Sequence, residues 1–201
     1  MTTARSRTLI VACGALAREL VAVLGANDWH HADIACLPAH WHNTPERIVP
    51  GVEEKILAAR TTHARVLVAY GDCGTGGQLD AMLERHGVGR LPGAHCYAFF
   101  AGVETFAALA EPEPGTFYLT DYLAANFERL VMEELGIRRH PELREIYFAH
   151  YTRLVYLSQD GERALPEAEA AARALDLPLV VQPTGLAPFA DALRAIDVVA
   201  A

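Results

Sequence analysis

The stretch Val66-Leu67-Val68-Ala69-Tyr70-Gly71-Asp72-Cys73-Gly74-Thr75-Gly76-Gly77-Gln78-Leu79 decides how the chain is read. Its first four residues are a short apolar run with the look of a buried strand. Its close opens a segment in which Leu79, Met82 and Leu83 keep helical spacing. Between the two lies a glycine-rich turn with an aspartate and a cysteine at its centre. Strand, turn and helix in that order gather free backbone N–H groups and the positive end of a helix dipole at one place. Glycine there lets a ligand approach the backbone closely. The turn is not a phosphate loop, since no lysine follows the last glycine, and its spacing is not that of the dinucleotide fingerprint. Read as a ligand site, it offers Gly74, Thr75 and Gly76 to a bound molecule. Read as structure alone, it is a tight strand-to-helix turn around a buried Cys73.

Working outward, the same arrangement recurs at the start of the chain. Arg7 to Ala12 reads as a strand buried on both faces, Cys13-Gly14 ends it, and Ala15 to Leu24 reads as a helix closed by Gly25. If the two strands are parallel neighbours, Cys13 and Cys73 meet on one rim of a sheet. A helix N-terminus lowers a thiol pKa, which would make each a better ligand or nucleophile. Ala32 to Leu37 is a further strand running into Pro38-Ala39-His40-Trp41-His42-Asn43-Thr44-Pro45. That places His40 and His42 on the same rim, with Trp41 covering a pocket, ahead of a helix from Glu46 to Arg60 capped by Thr44.

Downstream, Arg90 to Phe100 mixes strand character with a loop that carries His95 and Cys96. Adjacent residues in extended chain point in opposite directions, so one of the two is the better ligand, and His95 is preferred with Cys96 as alternate. Val103 to Ala110 is a helix. Thr116 to Leu119 is a strand, followed by Thr120 as N-cap of a long helix that runs through Leu135 to Gly136. Tyr118 and Asp121 lie at that strand's end, where either could hydrogen-bond a ligand and Asp121 could equally cap the helix. Arg153 to Leu157 and Pro178 to Gln182 are the last strands, parallel by the crossover rule and joined by a helix over Glu162 to Leu175. A closing segment spans Gly185 to Ile196. The alternation predicts a single α/β domain over residues 1–201. Its expected form is a doubly wound, mainly parallel sheet of five to seven strands with helices on both faces.

The 201 residues carry a net charge of -8, which argues against a nucleic-acid or anionic-membrane partner. No apolar run reaches membrane-spanning length, and Met1 to Arg7 leads into a strand without a signal-peptide pattern, so a cytoplasmic location is expected. Four cysteines without a C-x-x-C pair, together with nine histidines, suggest thiols or metal ligands rather than disulfides.

Cys13-Gly14, Leu37-Pro38 through Asn43-Thr44-Pro45, Tyr70-Gly71-Asp72-Cys73-Gly74, His95-Cys96-Tyr97 and Gly115 to Asp121 together resemble the uncharacterised bacterial and archaeal family known as domain of unknown function 1638. The resemblance covers about Thr8 to Gln182. Relatives often have Asp then Cys after the histidine, where this chain has Cys96 then Tyr97; that departure favours His95 as the functional position. The resemblance implies at most a link to methyl-group or C1 metabolism, with a corrinoid protein or a methyltransferase as partner.

Two functions follow as expectations. The first is a zinc or iron site built from Cys13, Cys73 and His95 with a fourth position open to a small-molecule substrate, and with Asp72 as outer partner or general base. The second is a non-metal module in which the glycine-rich turn holds an anionic small molecule or a corrinoid, and His40, His42 and Tyr118 supply hydrogen bonds. A covalent cysteine enzyme using Cys73, with His95 as base, is a third possibility.

Overall fold

The computed structural model describes residues 7–196, so the reading of Met1 to Ser6 lies outside the described residues. Among the described residues seven strands form, all pairings parallel, but they build two sheets rather than one. Among the described residues, 7–99 with 188–196 make one compact unit, and 100–187 make the other. The chain thus leaves the first unit after Phe99 and returns to it at Pro188.

In the first unit, β1 (Thr8–Cys13), β2 (Ala32–Leu37), β3 (Arg65–Ala69) and β4 (Gly89–Arg90) form a sheet of order β2-β1-β3-β4. The helices α1 (Ala17–Ala26), α2 (Ile48–Ala59) and α3 (Gln78–His86) connect the strands. Leu9, Val11 and Val68 pack with Ile48, Val52, Ile56, Leu79, Met82 and Leu83 in one apolar cluster, so α2 and α3 cover that face. Ile10, Ala12, Leu67 and Ala69, pointing the other way, are also buried. Strands hidden on both faces read as continuous apolar runs, which is why β1 and β3 do not alternate. The unit also takes in the last helix among the described residues, Ala187–Ala195. Its Phe189 stacks 6.5 Å from Phe99, and its Arg194 lies 5.6 Å over the Trp29 ring and donates to Asn27 Oδ1.

The expected continuation into a single sheet stops at β4. That strand pairs only Gly89 and Arg90 with β3, and Pro92-Gly93 follow in a bend. So short an edge offers no ladder for another strand.

The second unit has its own sheet, β5 (Thr116–Leu119), β6 (Arg153–Ser158) and β7 (Leu179–Pro183), in chain order. The helices α4 (Tyr97–Ala101), across which the unit boundary falls, and α5 (Val103–Ala110) precede it. Three more follow within it, α6 (Asp121–Ala125), α7 (Leu143–Phe148) and α8 (Leu165–Leu175), which makes the Ala187–Ala195 helix α9. Leu119, Leu154 and Tyr156 pack with Ala124, Phe127, Phe148, Ala168 and Ala172 on one face of the sheet. On the other, Phe106 of α5 lies 5.1 Å from the Tyr118 ring.

Two helix readings change. Thr120 caps α6 as expected, accepting from Leu123 N at 3.2 Å, but the helix breaks at Asn126 and continues as a π-helix over Glu128–Glu133. The Asn126 side chain donates to Tyr122 O at 2.9 Å and competes with the backbone ladder. Thr44, expected to cap α2, makes no cap; a 3-10 turn over Pro45–Arg47 comes first. Trp41 packs on α2. A Cβ built at Gly51 would overlap the Trp41 ring and lie 3.3 Å from Leu37 Cδ1. Gly51→Ala, normally worth up to about 1 kcal/mol of stability inside a helix, is therefore expected to cost about 1–3 kcal/mol in a urea titration.

Candidate functional site

The chain runs from β1 outward to β2 and then back past β1 to β3, so strand order reverses between β1 and β3. In open parallel sheets the crevice outside such a reversal, at the carboxyl ends of the strands, is where ligands bind. The register pairs Ala12 with Ala69, and the next residues along are Cys13 and Tyr70. The two cysteine turns thus emerge side by side, as the sequence led us to expect.

Close packing of three loops shapes this rim. A Cβ at Gly14 would sit 3.0 Å from Leu37 O, so only glycine lets the β1 turn lie against the end of β2. A Cβ at Gly71 would meet Ala94 O at 2.8 Å and His95 Cα at 3.0 Å. The 92–96 loop is pressed onto the β3 turn and held there by Cys73 N–H donating to Ala94 O at 3.1 Å. Arg90 fixes the loop's other side. Its guanidinium pairs with both oxygens of Asp80 on α3, at 2.5 and 2.8 Å, and donates to Leu91 O at 2.8 Å and Gly93 O at 2.9 Å. Cys73 itself is held at φ 49°, a left-handed conformation that non-glycine residues seldom take and that tends to mark functional sites.

Four groups converge here: Cys13, Tyr70, Cys73 and Cys96. Each thiol titrates above its ordinary value, contrary to the helix-terminus argument. Burial is the first cause for Cys13. For Cys73, burial and then the neighbouring Cys13 push the thiol up to about 12. Cys96 is raised by burial, then by Cys73 and Cys13, with the buried Glu19 adding to it. Desolvation outweighs the backbone hydrogen bonds of Ala15 to Cys13 and of Gly71 to Cys73, which act the other way. At neutral pH the metal-free thiols are therefore protonated, which removes the activated nucleophile that a Cys73 enzyme needs.

Of the adjacent pair, Cys96 couples electrostatically to the two thiols, whereas His95 acts on His42, whose imidazole is lowered by burial first and by His95 second. The His95 ring also lies 6.0 Å from that of Tyr97. His40 is exposed. Among the described residues, no group of three or more His, Cys, Asp or Glu side chains is arranged so as to hold a metal ion. The free thiols carry a pH signature. Each loses its proton later in the fold than in the unfolded chain, so stability is full below the ordinary thiol value of 9.0 and declines as pH rises from there towards about 12. The urea midpoint of reduced, metal-free protein should fall between about pH 8 and about pH 10.5, and Cys73→Ala should flatten the slope.

Asp72 serves the turn. Its Oδ1 accepts from Thr75 Oγ1 and from Gly77 N–H, each at 2.8 Å, and its Oδ2 accepts from Gly76 N–H at 3.2 Å. These bonds, the Gly77 amide first, hold the carboxyl below its usual range. A carboxylate so engaged is a poor general base at neutral pH. It also occupies the N–H groups at the start of α3 that an anionic ligand would use.

Tyr118 and Asp121 belong to the second unit. Asp121 is buried, and its carboxylate ties the ends of β5 and β6 together. It accepts from Tyr156 Oη at 2.6 Å, Gln159 N–H at 3.2 Å and Asp160 N–H at 2.9 Å.

Sequence reasoning passed over Tyr70 and Glu19. Tyr70 is 2% exposed, and its Oη has no partner of hydrogen-bond geometry; its polar neighbour is the sulfur of Cys13. Pairing β1 with β3 in register would have singled it out. Glu19 sits three residues after Leu16 and four before Val23, a carboxylate on the buried stripe of α1.

Fold and rim together define a mixed α/β protein with two parallel sheets and a thiol-lined strand-order reversal in the first. The chain belongs to the family described as "Protein of unknown function (DUF1638)", which it matches over residues 36–193. The match takes in Tyr70, Cys73, His95 and Cys96, while Cys13 precedes it. No curated protein and no solved structure matches the chain. No helix among the described residues is long and apolar enough to cross a membrane.

Proposed function

We propose that the protein binds a thiophilic divalent metal ion, zinc or iron, through Cys13, Cys73 and a third donor from the His95–Cys96 loop. A fourth position then remains for a small molecule. The observation that carries this reading is the meeting of Cys13 and Cys73 on adjacent strand ends, where the strand order of the first sheet reverses between β1 and β3. Thiols that raise one another's pKa are a site that a cation relieves, because binding replaces their protons with a shared positive charge. Cys96 is the favoured third donor, since both sulfurs act on its thiol. The 92–96 loop that carries it has bends but no helix or strand, so it can draw in around an ion.

A metal so held could activate water or a substrate thiol, and methyl-group chemistry alongside a corrinoid protein or a methyltransferase is one use of such a site. The rival reading, an anion or corrinoid on the glycine-rich turn, must displace Asp72 from Gly76 and Gly77. The test is elemental analysis of protein purified without an affinity tag. Near-stoichiometric zinc or iron is expected, and its absence after growth with both metals would end this reading.

A further inference from the structure

We infer that the first unit carries a second binding site, for a small organic anion, in a cavity at the amino ends of β3 and β4. Arg60 is the group that meets the negative charge. The cavity holds about 440 Å3, within the usual range for small-molecule sites, and lies at the end of the sheet away from the thiols. Its ionisable wall is basic throughout: Arg60 from the end of α2, His63 and Arg65 from the start of β3, and His86 from the end of α3. Among the described residues no Asp or Glu lines it, in a chain whose net charge is -8. Ile56, Val66 and Val88 supply apolar wall.

Arg60 is held in place by a neutral group. Its Nη2 donates to His86 Nδ1 at 2.8 Å, and His86 Nε2 meets Glu53 Oε1 at 2.7 Å. An arginine only donates, so Nδ1 accepts and Nε2 carries the proton given to Glu53. The imidazole, 13% exposed, is fixed by that bond and in turn fixes the guanidinium. Among the described residues Arg60 has no carboxylate partner, and most of its N–H groups are unused. His63, by contrast, is engaged by Asp33 at 3.1 Å and by Thr62 at 2.9 Å. A cation at the C-terminal end of α2 is stabilising by itself, but that needs no imidazole to aim it. The fork of a guanidinium matches carboxylate and phosphate oxygens, and the apolar wall favours a short hydrocarbon body over a bare inorganic ion. The ligand class is therefore a small carboxylate or phosphate monoester.

This site is independent of the metal reading, so the experiment uses the full chain after treatment with a chelator. Calorimetric titration with butyrate and with propyl phosphate compares two heads on similar short apolar bodies. At least one should bind with a Kd of about 1 mM or tighter, and the tighter of the two identifies the head. Arg60 is exposed and its replacement in Arg60→Gln can still donate to His86, so the variant keeps the fold. It should bind that probe on the order of tenfold more weakly, having lost a charged donor. Arg85→Gln makes the same change of charge at an exposed position on α3 outside the cavity wall, and should bind as wild type does. Wild-type protein that takes up neither probe would overturn the site. So would an unchanged affinity in Arg60→Gln, or equal losses in the two variants, which would mean that the probes respond to overall charge alone.

Discussion

Cys13→Ser and Cys73→Ser are each expected to abolish the proposed metal retention, so that content should fall from about one ion per chain to less than about a tenth. Even outer partners of a metal site cost about 10–100-fold in affinity when removed, and direct donors cost more. The two substitutions should act alike although 60 positions separate them in the chain, since parallel pairing of β1 with β3 places them on one rim. Cys36→Ser, at an exposed position on the neighbouring strand, should keep its metal. Cys96→Ser is expected to lower retention more than His95→Gln, following the coupling of Cys96 to the other two sulfurs. Full metal content in both Cys13→Ser and Cys73→Ser would refute the assignment, and circular dichroism would show whether any loss reflects unfolding.

The second large effect lies in the other unit. Asp121→Ala removes the one acceptor shared by Tyr156, Gln159 and Asp160, the first two bonds buried and the third part-buried. Stranding buried donors in this way is expected to cost about 3–5 kcal/mol in urea titration. Tyr156→Phe should cost less, about 1 kcal/mol, because it leaves the carboxylate its two amide donors. A loss below about 0.5 kcal/mol for Asp121→Ala would show that the network does not brace the sheet, and would return Asp121 to the ligand-binding role that its place at a strand end suggests.

Much of the architecture was legible because strand and helix leave different marks. β2 and β5 fall where apolar runs and turn residues put them, and α5 spans the predicted residues. Sheet membership was not legible. Nothing in Arg90-Leu91-Pro92-Gly93 says in advance that β4 will stop after two residues, and on that short edge turns the difference between one sheet and two. The break of the long helix at Asn126 escaped for a related reason: its side-chain bond to Tyr122 O is local, but apolar spacing does not register it.

The candidate site was half visible. Cys13 and Cys73 could be paired from two strand–turn–helix signatures, whereas their titration could not, because burial depends on how loops close from elsewhere in the chain. The bends at Ala94 and His95 separate His95 from Cys96, and a one-dimensional reading cannot tell which of the two will meet the thiols. Asp72 read equally well as a base or as a brace until its three donors were located.

The return of the chain to its first unit at Pro188 bears on biosynthesis. Phe189, buried against Phe99, emerges from the ribosome only after the whole stretch from Phe100 to Ala187. At about 5–20 residues per second, that leaves the first unit without α9 for roughly 4–18 s. The later-made unit can finish folding first, and the earlier one completes its core only once Phe189 has been made.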